Sequence, residues 1–125
     1  MDQYGLNKAL KLDDRGYIVH ELGKLLEIGD MSYYHGHNYS GIQHAANHCR
    51  QYKQNIMYGH HHSLQQDSVT FMDGPKSAWS LGCLKDMSAE KNQWLGGRQH
   101  KWAHAFAIVD YYKGGRFTVD IVQII

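Results

Sequence analysis

The chain is poor in proline and cysteine, has no excess of either charge sign and has no long apolar run. Pro75 is the only proline in 125 residues, so 13 glycines do the punctuation. The two cysteines, Cys49 and Cys83, lie far apart and form no C-x-x-C pair. That argues against a disulfide scaffold and predicts buried thiols in a reducing, cytoplasmic setting. The apolar stretches are a few residues long, far short of the ~20 that a membrane span needs, so no membrane partner is expected. The opening Met1-Asp2-Gln3-Tyr4 lacks the basic-then-apolar run of a secretory signal. With 13 basic and 12 acidic side chains the net charge is +1 and no basic cluster stands out, which leaves a nucleic-acid partner undetermined.

What remains is the composition of a single globular domain spanning residues 1–125, 42% hydrophobic and 20% charged. Residues 1–15 read as a polar arm or a short helix through Leu6–Leu12. Tyr17–Leu22 and Lys24–Ile28 are β-like, Gly29-Asp30 has turn chemistry, and Met31–Tyr34 is an aromatic strand. From Gly41 to Tyr52 the period changes. Ile42, Ala45, Ala46, Cys49 and Tyr52 share one helical face, with Ser40 as N-cap. Asn55–Tyr58 follows as a strand, so residues 31–58 have the pattern of a βαβ unit. Val69–Met72, closed by Asp73-Gly74-Pro75, and Ser77–Leu84 are further strands, and residues 85–101 form a long polar loop. Lys113-Gly114-Gly115-Arg116 joins Trp102–Tyr112 to Phe117–Ile125 as a hairpin. The expected class is α/β, a mixed sheet with a C-terminal β-hairpin.

Histidine is the outlier, with ten residues. Gly59-His60-His61-His62 follows the strand Asn55–Tyr58, and His35-Gly36 follows the strand Met31–Tyr34. Open α/β sheets gather ligands at the carboxyl ends of their strands, and a neutral imidazole is a metal ligand near pH 7. If the two strands are neighbours, His35 and His60 converge, and His62 can reach the same place from the loop. Gly36 and Gly59 would allow close approach.

These residues resemble the C-terminal half of calcineurin-like metallophosphoesterases. In that family a strand ends in His-Gly, a helix follows, and a second strand ends in Gly-His-x-His. Here the motifs are Tyr33-Tyr34-His35-Gly36 and Met57-Tyr58-Gly59-His60-His61-His62. A bacteriophage-type branch is similar further downstream, at Ser77–Leu84 and Lys101–Ala107, so the resemblance runs from about Gly16 to Ile125. It implies half of an αββα sandwich. It implies that His35 and His60 are ligands to one metal and His62 to another, with His37 and His61 contacting substrate or supporting the ligands. The ions would be Mn²⁺, Fe, Zn²⁺ or Ni²⁺, about 3.5–4 Å apart, activating water against a phosphomonoester or phosphodiester.

The family's early motifs, Asp-x-His, Gly-Asp-x-x-Asp and Gly-Asn-His-Asp/Glu, have no counterpart here. Three neutral imidazoles do not offset the repulsion of two adjacent dications, so at most one metal is expected. A half-sandwich also exposes a sheet face or edge, so a homo-oligomer or a separate N-terminal half is the expected partner. Two other readings stand beside the incomplete phosphoesterase. One is a non-catalytic metal-binding or interaction module retaining half of the fold. The other is a small α/β protein with chance histidines. Elsewhere, His44 and His48 share a helix face and read as a partly exposed flank. His61 reads as solvent-facing unless it meets substrate, and His104 as a packed or surface residue. His20 and His100 have no supporting context. Asp67, Asp73 and Asp86 have no spacing that would complete a metal site.

Overall fold

The computed structural model describes residues 8–20, 23–96 and 101–125. Its strands are β1 (Leu26–Ile28), β2 (Met31–Tyr34), β3 (Asn55–Tyr58), β4 (Gln65–Phe71), β5 (Gly74–Ser80), β6 (Ala105–Tyr111) and β7 (Phe117–Gln123). An α-helix, α1 (His44–Tyr52), joins β2 to β3, residues 8–10 are helical as well, and a 3₁₀ helix covers Glu90–Leu95 within the expected loop. Five strands form a sheet in the order β1-β2-β3-β5-β4, and β6-β7 form a separate antiparallel hairpin. The three central strands, β2, β3 and β5, run parallel, while β1 and β4 flank them antiparallel. The chain is therefore α/β, with a mixed sheet and a C-terminal hairpin. No helix among the described residues is long and apolar enough to cross a membrane.

The sheet is covered differently on its two faces. On one, Ala45 and Cys49 of α1 pack on Ile56, Tyr58 and Ala78. On the other, Met31, Met57 and Trp79 meet Ala107, Val109, Phe117 and Val119 of the hairpin. Alternation along β6 and β7 sends Val109 and its cross-strand partner Val119 inward and leaves Ile108 and its partner Asp120 exposed. The β1–β2 turn anchors the far end of the hairpin. The Asp30 N–H donates to the Gly115 carbonyl at 2.9 Å, and a Cβ on Gly115, at φ +85, would lie 2.8 Å from Asp30 Oδ1.

Several boundaries differ from expectation for local physical reasons. The helix begins at His44, not after Ser40, and Ile42 is left 84% exposed. Its first turn is held by the Gln65 amide, which accepts from Ala45 N–H at 3.0 Å and donates to the Ile42 carbonyl at 2.6 Å. β4 starts four residues earlier than expected, because a strand at the sheet edge tolerates Gln66–Ser68 facing solvent while Gln65 bonds the start of the helix. The turn falls at Met72-Asp73, and Pro75 lies inside β5. Proline is tolerated there because β3 pairs with β5 only from Ala78 onward. Tyr17–His20 form no strand, and Glu21, Leu22, Leu6, Gly97 and His100 lie outside the described residues.

Candidate metal site and buried imidazole cluster

Two parallel neighbours, β2 and β3, deliver the histidines. Their register sets Tyr34 opposite Tyr58, and the ladder continues for one more bond, from Gly59 N–H to the His35 carbonyl at 2.9 Å. Gly36 is needed here. At φ +109 its absent Cβ would lie 2.6 Å from the Tyr58 ring and 2.8 Å from the Gly59 carbonyl. His60 then turns back with φ +66, and His62 repeats the left-handed conformation at φ +59. Left-handed backbone is uncommon for residues other than glycine and clusters at functional sites.

The result is an imidazole pair. His35 Nε2 and His60 Nδ1 lie 2.8 Å apart. Both rings are exposed, and the exposed His37 ring stands 5.7 Å from His35 and 6.5 Å from His60. Partial burial, followed by the neighbouring His35, His61, His37 and His62, pushes the His60 imidazole below its usual range and keeps it an electron-pair donor. The 2.8 Å separation is that of a hydrogen bond between the two imidazoles, and it is close to the roughly 2.9 Å between two nitrogens held about 2.0–2.1 Å from one ion at a right angle. The His62 ring lies 5.0 Å from that of Trp102. No group of three or more His, Cys, Asp or Glu among the described residues is arranged to hold a metal ion. Of the three aspartates weighed, Asp67 accepts from Ser68 N–H, Asp86 from Ser88 N–H, and Asp73 lies 3.9 Å from Lys76.

Beneath the pair lies a cluster that the sequence did not announce. His44 and His48 are not a partly exposed flank: they are 5% and 0% exposed. Both point at the sheet beside Ala45 and Cys49, and aromatic residues of the strands satisfy them. His48 Nδ1–H donates to the His44 carbonyl at 2.7 Å, so Nε2 accepts from the Tyr34 hydroxyl. The His48 ring stacks on Tyr58 with centroids 3.8 Å apart. His44 Nδ1 meets the Tyr58 hydroxyl at 2.6 Å, and its Nε2 meets Ser63 Oγ at 3.1 Å. Burial, then His61 and His48, lower the His44 pKa from 6.5 to about 4, and burial lowers that of His48. Both are neutral near pH 7.

His61 ties the two layers together. Its Nε2–H donates to the carbonyls of Gly36 and Tyr39, each at 3.1 Å, and its ring stacks on His44 at 3.9 Å. It is half-buried and clamps the β2–α1 loop to the β3–β4 loop. The only advance signal was four apart: His44 and His48, with Tyr34 and Tyr58 closing both strands. Comparison with protein-family models and with curated proteins yields no match.

Proposed function

We propose that this chain is the histidine-donor part of a metallophosphoesterase-type hydrolase, acting on phosphomonoesters or phosphodiesters in the cytoplasm. The observation that carries the reading is the His35–His60 pair, 2.8 Å apart at the ends of two adjacent parallel strands. In this reading His35 and His60 hold one divalent ion of the Mn²⁺, Fe, Zn²⁺ or Ni²⁺ kind. When bound, the ion supplies charge stabilisation to phosphate oxygens. His37 stands close enough to contact a substrate oxygen, and His61 keeps the two ligand-bearing loops in register. The carboxylates of a complete binuclear centre come from a second copy or from a separate N-terminal half. The free thiols of Cys49 and Cys83 fit the cytoplasmic setting.

Native mass spectrometry with Mn²⁺ or Zn²⁺ tests the site, and one ion per chain is expected. His35→Ala and His60→Ala should each abolish its uptake, and uptake retained by both variants would overturn the reading. Turnover of bis-p-nitrophenyl phosphate by the metal-loaded chain separates the hydrolase from a second reading, a non-catalytic metal-binding or interaction module. That second reading is favoured by the lack of any three-donor group among the described residues. It predicts one bound ion and no hydrolysis, even in the oligomer.

A further inference from the structure

A cavity of about 480 Å³ opens beside the buried imidazole cluster, a volume in the range of small-ligand pockets. Ile42 and His44 line it from the start of α1, Ser63 and Leu64 from the β3–β4 loop, and Lys101 and Trp102 from the segment ahead of β6. The Trp102 wall is held by several contacts. Ala103 N–H donates to the His62 carbonyl at 2.7 Å, and the Trp102 ring meets that of His62 at 5.0 Å. Lys85 Nζ stands 5.0 Å from the centre of the same ring. Lys85 donates to Asn92 Oδ1 at 2.5 Å, and the Asn92 amide donates to the carbonyls of Asp86 and Ser88. The loop between β5 and β6 therefore presents a fixed indole to the cavity.

The hydrogen-bond chain beneath the cavity sets the polarity of the group that faces it. The buried Tyr58 hydroxyl has one hydrogen-bond partner among the described residues, His44 Nδ1 at 2.6 Å. A buried hydroxyl proton needs an acceptor, so Tyr58 O–H donates and Nδ1 accepts. His44 is neutral near pH 7 and carries one ring proton, which is therefore on Nε2. Nε2–H donates to Ser63 Oγ at 3.1 Å. The Ser63 oxygen thus accepts from below, and its own proton is left to donate into the cavity. Ser80 Oγ donates to the Ser63 carbonyl at 2.7 Å and fixes the backbone under that hydroxyl. Lys101, an exposed residue, adds an ammonium to the lining, and no Asp or Glu lines the cavity among the described residues.

We propose that this cavity binds a small aromatic monocarboxylate, its carboxylate on Ser63 and Lys101 and its ring against Trp102, Ile42 and Leu64. Two donors and one positive charge match the two oxygens and single charge of a carboxylate. A phosphate monoester has three outer oxygens and up to two negative charges, which two donors leave short. Pairing with the ammonium and the hydroxyl offsets the hydration that a carboxylate loses on entry. The indole offers a planar face to an aromatic ring. Ile42 is 84% exposed, an apolar side chain that the helix leaves uncovered and a bound ring covers. Neither His35 nor His60 lines the cavity, so this site stands apart from the metal pair and needs no metal.

Heteronuclear NMR titration of the full chain with sodium benzoate tests the site, in EDTA so that the result is separate from that of the phosphoesterase reading. Benzoate is taken to about 10 mM, where a millimolar site saturates. Saturable shifts of the Ser63 and Leu64 amides and of the Trp102 indole N–H are expected. Benzamide, which has the same shape without the charge, and phenyl phosphate should each bind about tenfold more weakly. Lys101→Gln, at an exposed position that leaves the fold intact, should weaken benzoate about tenfold, and Ser63→Ala by as much. Nitrogen-15 shifts of the His44 ring should show Nε2 protonated and Nδ1 bare. The proposal is overturned by shifts that do not saturate, by benzamide or phenyl phosphate binding as tightly as benzoate, by benzoate affinity unchanged in either variant, or by a His44 proton on Nδ1.

Discussion

The two faces of the sheet are built from different materials. Under the hairpin the core is apolar, with Met31, Met57 and Trp79 against Val109, Phe117 and Val119. Under α1 the buried set includes two imidazoles, held by Tyr34, Tyr58 and Ser63. Apolar burial is non-directional and indifferent to pH. A buried imidazole cluster is directional, because each nitrogen needs its own partner, and it is sensitive to acid. The first face supplies cohesion. The second supplies geometry at the strand ends where the candidate sites lie, and acid is the condition that exposes its cost.

The largest effect should come from the apolar face. Trp79→Ala removes the side chain at the centre of the hairpin interface, whose ring meets Phe117 edge-on at 5.8 Å. Losses of about 3–5 kcal/mol are usual for such truncations. Urea unfolding should show that loss equally at pH 7 and pH 5. A loss that changed with pH would mean that the two faces are coupled through the sheet.

Acid should act through the opposite face. His44 titrates near 4 when folded and near 6.5 when unfolded, so the unfolded chain binds its proton first. Stability is full above pH 6.5 and declines as pH falls, until the folded form also protonates near pH 4. The loss is about 2 kcal/mol by pH 5 and about 3 kcal/mol below pH 4. His48 shifts in the same direction and adds to it. A stability profile flat between pH 7 and pH 4.5 would remove the distinction between the faces.

A smaller effect isolates one bond of the cluster. Tyr34→Phe keeps the ring but leaves His48 Nε2 buried without its donor. Leaving such a group unpaired costs about 1–3 kcal/mol. Chemical denaturation should show that loss, and a double variant with Trp79→Ala should be additive, since the two residues lie on opposite faces.

Local features were readable in advance and distant ones were not. The Gly114-Gly115 turn, the Gly29-Asp30 turn and the strand–helix–strand run from Met31 to Tyr58 depend on neighbours in the chain. The juxtaposition of His35 and His60 was readable too, because parallel pairing of β2 and β3 follows from the helix between them. Burial of His44 and His48 was not, because the hydroxyls that make it tolerable come from Tyr34, Tyr58 and Ser63, outside the helix. Polarity argued for an exposed flank, and tertiary hydrogen bonds overrode it. The polar start of β4 was hidden for a related reason: its pairing partner, β5, sets the strand, and its own residues carry little β signal.

The smallest effect addresses the backbone of the pair itself. His60 holds φ +66, a conformation in which any Cβ is crowded and glycine is not. His60→Ala and His60→Gly both remove the imidazole, but only alanine keeps the crowding. Glycine relieves about 1 kcal/mol of strain and gives back part of it as unfolded-chain entropy. His60→Gly should therefore be as stable as wild type within about 0.5 kcal/mol, and His60→Ala about 1 kcal/mol less stable than His60→Gly. Thermal unfolding of the two variants without metal reads that difference directly. If it is present, the left-handed turn is a standing cost of aiming His60 at His35. If alanine and glycine are equal, the turn relaxes once the imidazole is gone, and the His35–His60 contact itself bends the backbone.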